Sequence, residues 1–497
     1  MLSRVYIGID LGSTSLKIAA FSGRDGQVLA LAGAPIPWRR TNEGVCQVLG
    51  SALRGMFGEL LAKVVADLGE QSKAVVAISV VGHGGGLYVV DQSGELLDDL
   101  AVSSTDQRAT QFANRVSEAK VMALREKVGS GPWSGQPALI AGDILRKDPE
   151  KRHRCTSLFF AKDYLAMLLS GQVATDYSDG STAGLVDVQT RMPSELAFSV
   201  AADVAFQQKL LAPLRNSGTQ LGELRTEMAA LVGLSAGIPI AMGAIDLFGA
   251  MTGVGAVRPG DAAAIFGTWC VNAAIGHKQP SNSSTHHLGT AGVSNVVLLD
   301  STDSLMYMNN SAASMANTTW FASTLQLDAL SLLDAAFESA PGANGLSYMP
   351  FINGGGQNSA ALLGLRAFHT RSDIARAVVE GVTALHAVSL NALRDTGLDR
   401  KRLFALGGGA GDVRLCKLLA TMLGEALYTP GADESGARGA AMFAAASIGE
   451  SPISLQKVPA RIEPIDQEHI FYRDYLSNFK DMLADMAPVF SRSNKHL

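Results

Sequence analysis

The chain has only four cysteines, Cys46, Cys155, Cys270 and Cys416, and no Cys-x-x-Cys pair among them. That scarcity excludes a thiolate zinc site and a disulfide framework, and it suits a reducing compartment. No block or stripe of Lys and Arg interrupts a mildly acidic composition of net charge −5, so the surface a nucleic-acid binder needs to neutralise phosphates is missing. Long apolar runs are absent too. The stretch from Gly237 to Ile245 stops at Asp246, well short of the ~20 residues of a membrane span. Met1-Leu2-Ser3-Arg4 enters an apolar strand at once, without the features of a secretory signal, so a soluble cytoplasmic protein is expected. The pattern Gly-x-x-x-x-Gly-Lys-[Ser/Thr] occurs nowhere, which excludes a Walker-type loop and leaves any nucleotide to another cradle. At 497 residues the chain is too long for one ordinary core, and two or three domains are expected.

What is present begins with Ile9-Asp10-Leu11-Gly12-Ser13-Thr14-Ser15-Leu16-Lys17-Ile18. An apolar strand from Val5 to Ile9 delivers one carboxylate to its end, and a turn of small hydroxylated residues leads into a second strand carrying Lys17. Small residues let backbone NH groups approach phosphate oxygens, and a carboxylate can hold Mg²⁺ through water, so Asp10, the turn and Lys17 suit a metal-chelated polyphosphate. An ordinary hairpin turn is the structural alternative. A third strand (Val28 to Ala32) follows Asp25-Gly26, then a helix with an apolar face around 48–68, then a buried strand from Ala74 to Val81. Hairpins followed by alternating helices and buried strands predict an α/β architecture with mixed sheets.

A second unit is expected to begin near Gly237. Its strand from Pro239 leads to Gly243-Ala244-Ile245-Asp246, where Asp246 either accepts a proton from a substrate hydroxyl or simply caps the helix that follows. The strand Ala262 to Phe266 then ends in Gly267-Thr268, an echo of Gly12-Ser13-Thr14 that suggests an internal duplication. Later come a helix from Ser372 to Leu385, a strand from Leu403 to Leu406, the run Gly407 to Gly411 and a helix from Asp412 to Leu423. Backbone at that glycine run can pass close to a base or a phosphate. Gly82-His83-Gly84-Gly85-Gly86 would let a small polar ligand rest on backbone, with His83 offering a hydrogen bond, or it is only a flexible turn. The pair Asp106 and Arg108 starts a predicted helix, and His286-His287 in a Ser/Asn-rich stretch is expected to be a solvated loop.

Taken in order, these segments resemble the FGGY family of carbohydrate kinases, nearest in motifs to its L-xylulose kinase branch. The resemblance is carried by Ile7 to Lys17, Thr105-Asp106-Gln107-Arg108, Lys162-Asp163-Tyr164-Leu165, Ala174-Thr175-Asp176-Tyr177-Ser178, Gly243 to Asp246, Val257 to Asp261 with Gly267-Thr268, His369-Thr370-Arg371, Gly407 to Ala410 and Glu434 to Ala441. It implies two actin-like (ribonuclease H-like) domains with a cleft between them, residues 1–241 on the sugar side and 242–497 on the ATP side. It further implies Asp246 as general base and Asp10 as the carboxylate near Mg²⁺, one from each half. Gly12, Ser13, Thr14 and Lys17 would form the first phosphate turn, Gly267 and Thr268 the second, and Gly408, Gly409 and Ala410 the adenosine-side loop. His83, Gly84, Asp106 and Arg108 would line the sugar.

The reaction so implied is ATP-dependent phosphorylation of a terminal hydroxyl of a ketopentose such as xylulose, with erythritol or another polyol as the alternative acceptor. An actin-like ATP-driven module without a sugar acceptor would share Asp10 and the phosphate turns, and no acceptor would accelerate its hydrolysis of ATP. The expected partners are a small-molecule sugar or polyol, neither nucleic acid nor membrane, and a homodimer is the assembly to be tested.

Overall fold

The computed structural model describes residues 3–201, 211–277, 292–300, 303–311, 313–352, 358–431 and 433–493; the His286-His287 pair lies outside them. Two mixed sheets form the body. In the first, strands Val28–Pro35, Ser15–Ser22, Val5–Leu11, Val75–Gly82, Pro239–Ala241 and Gln220–Glu223 lie side by side in that order. Hairpins make the first three antiparallel, whereas Val75–Gly82 and Pro239–Ala241 run parallel to Val5–Leu11 after long crossovers. The second sheet repeats this order with Ser304–Ser311, Cys270–His277, Asp261–Phe266, Arg402–Leu406, Leu427–Thr429 and Ala460–Ile462, and adds Asn295–Leu298 at one edge. The Gly-Ser-Thr and Gly-Thr turns therefore occupy equivalent places, between the first and second strands of each sheet. This is the doubly actin-like architecture expected from the sequence.

One boundary differs from expectation. The Pro239–Ala241 strand belongs to the first sheet, between Val75–Gly82 and Gln220–Glu223, so no second unit starts near Gly237. Its parallel pairing with Val75–Gly82 makes it the last parallel strand of the first sheet, and the repeat restarts at Asp261.

Between the sheets lie two helices, Asp246–Gly253 and Ser435–Ser447. The first packs Leu247, Phe248 and Met251 with Ala263, Ala273 and Phe404 of the second sheet, and the second packs Ala437, Ala441 and Ala444 with Tyr6, Ala19 and Phe21 of the first. Close approach sets their composition. A Cβ added at Gly8 would stand 1.7 Å from the Ala437 carbonyl oxygen, and one at Gly439 would stand 1.8 Å from that of Gly249. On the outer faces, Gly50–Leu68 and Ala161–Ser170 cover the first sheet, while Arg371–Asp395 and Val413–Leu423 cover the second and Asp466–Ser493 packs over those two helices. A small sheet of Arg39–Arg40, Cys46–Leu49, Leu96–Val102, Leu87–Val90 and Ser157–Phe159 is inserted beside the first. Among the described residues no helix is long and apolar enough to cross a membrane.

Candidate active site

Three neighbouring strands of the first sheet end together. Leu11 pairs with Gly82, and Gly82 bridges to Ile245, which extends the short Pro239–Ala241 strand. Asp10, His83 and Asp246 are thereby gathered at the carboxyl ends of parallel strands, the usual crevice for ligands in α/β sheets. The expected placement of the two aspartates, one from each half, is corrected: both issue from the first sheet, because the strand leading to Asp246 is part of it. Asp246 is not the helix cap either. Ile245 holds that position, and Asp246 is the first helical residue, with its Oδ1 accepting from the Leu247 NH at 2.7 Å.

The electrostatics tie the two carboxyls to one place. Burial raises Asp10 to about 8, with Asp246 the next-largest influence, Lys17 opposing and Glu434 adding to the rise. Asp246 is raised to about 6, again chiefly by burial. Asp10 Oδ1 is buried without a hydrogen-bond partner. An orphaned carboxylate oxygen is costly unless something binds it, so the position fits a cation. No group of three or more His, Cys, Asp or Glu that could hold a metal occurs among the described residues. A Mg²⁺ carried on phosphates needs only one or two carboxylates and waters, and Asp10 supplies that much.

The turns expected to hold phosphates flank this point. Ser13 offers its carbonyl to Trp38 Nε1 at 2.9 Å, and Thr14 offers its own to Ile36 at 3.0 Å, leaving an exposed Thr14 side chain beside the half-buried Gly12 and Ser13. Lys17, cross-strand from Asp10, pairs with Glu434 at 2.8 Å. In the second sheet Thr268 is exposed, and Gly267 is fixed by its carbonyl accepting from Met315 NH at 3.0 Å. The glycine run continues that surface: a Cβ at Gly408 would meet open space, one at Gly409 would press on Phe266 and Met315, and Ala410 is buried. Ala410 therefore supports the loop from beneath, its carbonyl accepting from Thr429 Oγ1 at 3.3 Å.

In the turn expected to face the sugar, His83 is 3% exposed and neither ring nitrogen makes a well-formed hydrogen bond, the Gly84 and Gly85 backbone influencing it only weakly. Burial pushes its pKa down to about 4, so it is a neutral imidazole with one donor and one acceptor to offer. Beside it, Gly84 faces Thr182 and Ile245, and Gly85 faces Trp133 and Ser104. Asp106, expected to line the sugar, is tied into the protein around it. Its carboxylate is fully buried and already accepts from Cys46 NH at 2.7 Å and from Arg108 Nε and Nη2 at 2.8 and 2.9 Å. Arg108 is held by the same pair and by Gln47 at 3.0 Å, so both anchor the turn whose Ser104 reaches the glycine loop.

Sequence reading assigned no role to Trp38, Trp133 or Glu434, each isolated in the sequence and placed at the site only by folding. It also assigned none to the buried set Lys162, Asp163, Asp176 and Asp179, whose signal is a Lys-Asp pair and an Asp-Tyr-Ser-Asp run in otherwise apolar surroundings.

The FGGY family of carbohydrate kinases, N-terminal domain, matches residues 5–253, and the C-terminal domain of the same family matches residues 262–448. The L-xylulose/3-keto-L-gulonate kinase of Escherichia coli is 23% identical, covering 100% of both chains. The erythritol kinase of Brucella abortus is 26% identical over 93% of this chain and 91% of its own. In fold, the crystal structure of the xylulose kinase from Rhodospirillum rubrum superposes with a TM-score of 0.84 at 22% identity, covering 98% of this chain and 100% of that one. With both family domains matched over most of its length, the chain belongs to the FGGY family of carbohydrate kinases and is an ATP-dependent phosphotransferase that uses Mg-ATP as donor.

Proposed function

We propose that this enzyme phosphorylates a terminal hydroxyl of a ketopentose such as xylulose, with Asp246 as the general base. One observation carries the reading: the Asp246 carboxyl, raised to about 6, stands within electrostatic range of the unpartnered Asp10 oxygen, at the end of strands flanking the buried His83. A base poised near the working pH can take the proton of the attacking hydroxyl as the oxygen closes on phosphorus. Asp10 would hold the Mg²⁺ of bound ATP, which spreads the charge of the transferring phosphoryl group. The turns at Gly12 to Lys17 and Gly267-Thr268 supply backbone NH groups and hydroxyls toward the phosphates, Gly408 and Gly409 give a bare surface for adenosine, and the neutral His83 with Gly84 binds sugar hydroxyls.

The ketopentose reading draws on the xylulose and L-xylulose kinase relatives, and a polyol acceptor draws on the erythritol kinase at comparable identity. ADP release measured with a panel of pentuloses, pentitols, tetritols and glycerol separates them. A ketopentose should give the highest kcat/KM; preference for a tetritol would transfer the assignment to polyols.

A further inference from the structure

A short helix, Tyr177–Thr182, stands directly behind the strand ends that carry Asp10, His83 and Asp246, and its Ser178, Ser181 and Thr182 hydroxyls are all hydrogen-bonded. Ser178 Oγ accepts from the Ile245 NH at 2.9 Å, and Ser178 is 1% exposed. Ile245 immediately precedes Asp246. The start of the helix is fixed in turn by Asp176, whose carboxylate accepts from the Ser178 and Asp179 NH groups at 2.8 and 3.2 Å. Asp176 is held by Lys162, 3.0 Å away and 1% exposed, which also pairs with Asp163 and, at 2.9 Å, with Asp179. At the other end, Thr182 Oγ1 donates to the Ser178 carbonyl at 2.8 Å, and its methyl lies against Gly84 in the sugar-side turn. Ser181 Oγ accepts from Leu298 NH of the second sheet at 2.9 Å.

We propose that Ser178, anchored by the Lys162–Asp176 ion pair, is a positioning residue for phosphoryl transfer: it fixes the backbone from which Asp246 reaches the acceptor and links that backbone, through Thr182, to the sugar-side turn. The proposal rests on the reading of Asp246 as general base. A buried NH with a single side-chain acceptor has nowhere else to turn, and the acceptor is itself immobilised by a buried ion pair, so the Asp246 backbone is held more tightly than a loop end would be. Misplacing a reacting group by about 1 Å costs on the order of a hundredfold in rate.

The test is steady-state kinetics on Ser178→Ala, on Ser178→Cys, which keeps the volume but accepts poorly, and on Ser178→Thr, which restores the hydroxyl. The expected result is a fall in kcat of about tenfold to a hundredfold for Ala and Cys with KM for ATP unchanged, recovery in Thr, and a Ser178→Ala/Asp246→Asn double variant no slower than Asp246→Asn alone. Thermal unfolding of each variant selects those that are folded; the Cys variant serves if Ala does not fold. Wild-type kcat in both Ala and Cys, with Asp246→Asn inactive, overturns the positioning role and leaves the general base standing. An equal rise in KM for ATP and fall in kcat overturns it as well, since that is the mark of general loosening. A fully active Asp246→Asn enzyme removes the base and this proposal together.

Discussion

Asp246 and Asp10 carry the same functional group in different surroundings, and the roles proposed for them follow that difference. Asp246 keeps one backbone NH donor and rises to about 6, a value suited to a base; Asp10 has an oxygen with no donor and rises to about 8. Replacing Asp246 with Asn should lower kcat by ~10² to 10⁴ while leaving nucleotide affinity, measured by calorimetry, close to wild type. Because the base must be ionised, kcat at saturating Mg-ATP, where the metal would keep Asp10 ionised, should fall on the acid side, and the Asn variant should lose that acidic limb. Asp10, raised further, has a consequence for stability. Its folded-state pKa lies above the ordinary 3.8, so the folded form prefers the proton, and the associated stability is full below pH 3.8 and lost as pH rises through about 8. Without Mg-ATP, Asp10→Asn should therefore raise Tm relative to wild type at pH 8 to 9, with no gain near pH 4, while phosphoryl transfer is lost. The residues that sequence reading placed correctly at the strand ends, Asp10, His83 and Asp246, each follow an apolar β-branched run that announces a buried strand. The motif around Asp106 does not show that the NH of Cys46, sixty residues earlier, donates to its carboxylate.

At the scale of elements, periodicity was a good guide and length less so. The helix expected to end at Leu385 continues to Asp395, since Ala387, Leu390 and Leu393 prolong the buried face, and Thr370 with Asp373 closes a capping box at its start. The pair of helices between the sheets is defined by something no periodicity shows. Gly439 lies against Gly249 and Gly253 against the Ser435 carbonyl, so the two axes approach at backbone distance. Gly439→Val should force them apart and cost about 1 to 3 kcal/mol, read as a lowered midpoint in urea unfolding. Activity should fall more than stability alone accounts for, because Asp246 starts one of the two helices and Gly436 of the other abuts Asp10.

For the whole molecule, two copies of one strand order face each other across that helix pair, and each contributes one hydroxyl turn between its first two strands. Lys17 on the first sheet and Glu434 at the start of the Ser435–Ser447 helix pair at 2.8 Å beside Asp10, which puts groups distant in sequence on one wall of the site. Water must be excluded for transfer to outcompete hydrolysis, so closure around substrates is expected. Small-angle scattering should show a smaller radius of gyration with a non-hydrolysable ATP analogue, Mg²⁺ and acceptor together than with the nucleotide alone; identical curves would count against closure. By themselves, the residues determined the class of fold, the strands that end in Asp10, His83 and Asp246, and both small-residue turns between the first two strands of each sheet, because strand burial and small-residue turns are local properties written in spacing. Only the tertiary structure decided that both aspartates rise from one sheet, that Asp106 is bonded to Cys46 and Arg108, and that Lys162, Asp176 and Ser178 stand behind Asp246. Those facts depend on which distant segments share a low-dielectric interior, and pairing energies there are fixed by three-dimensional proximity rather than by order along the chain.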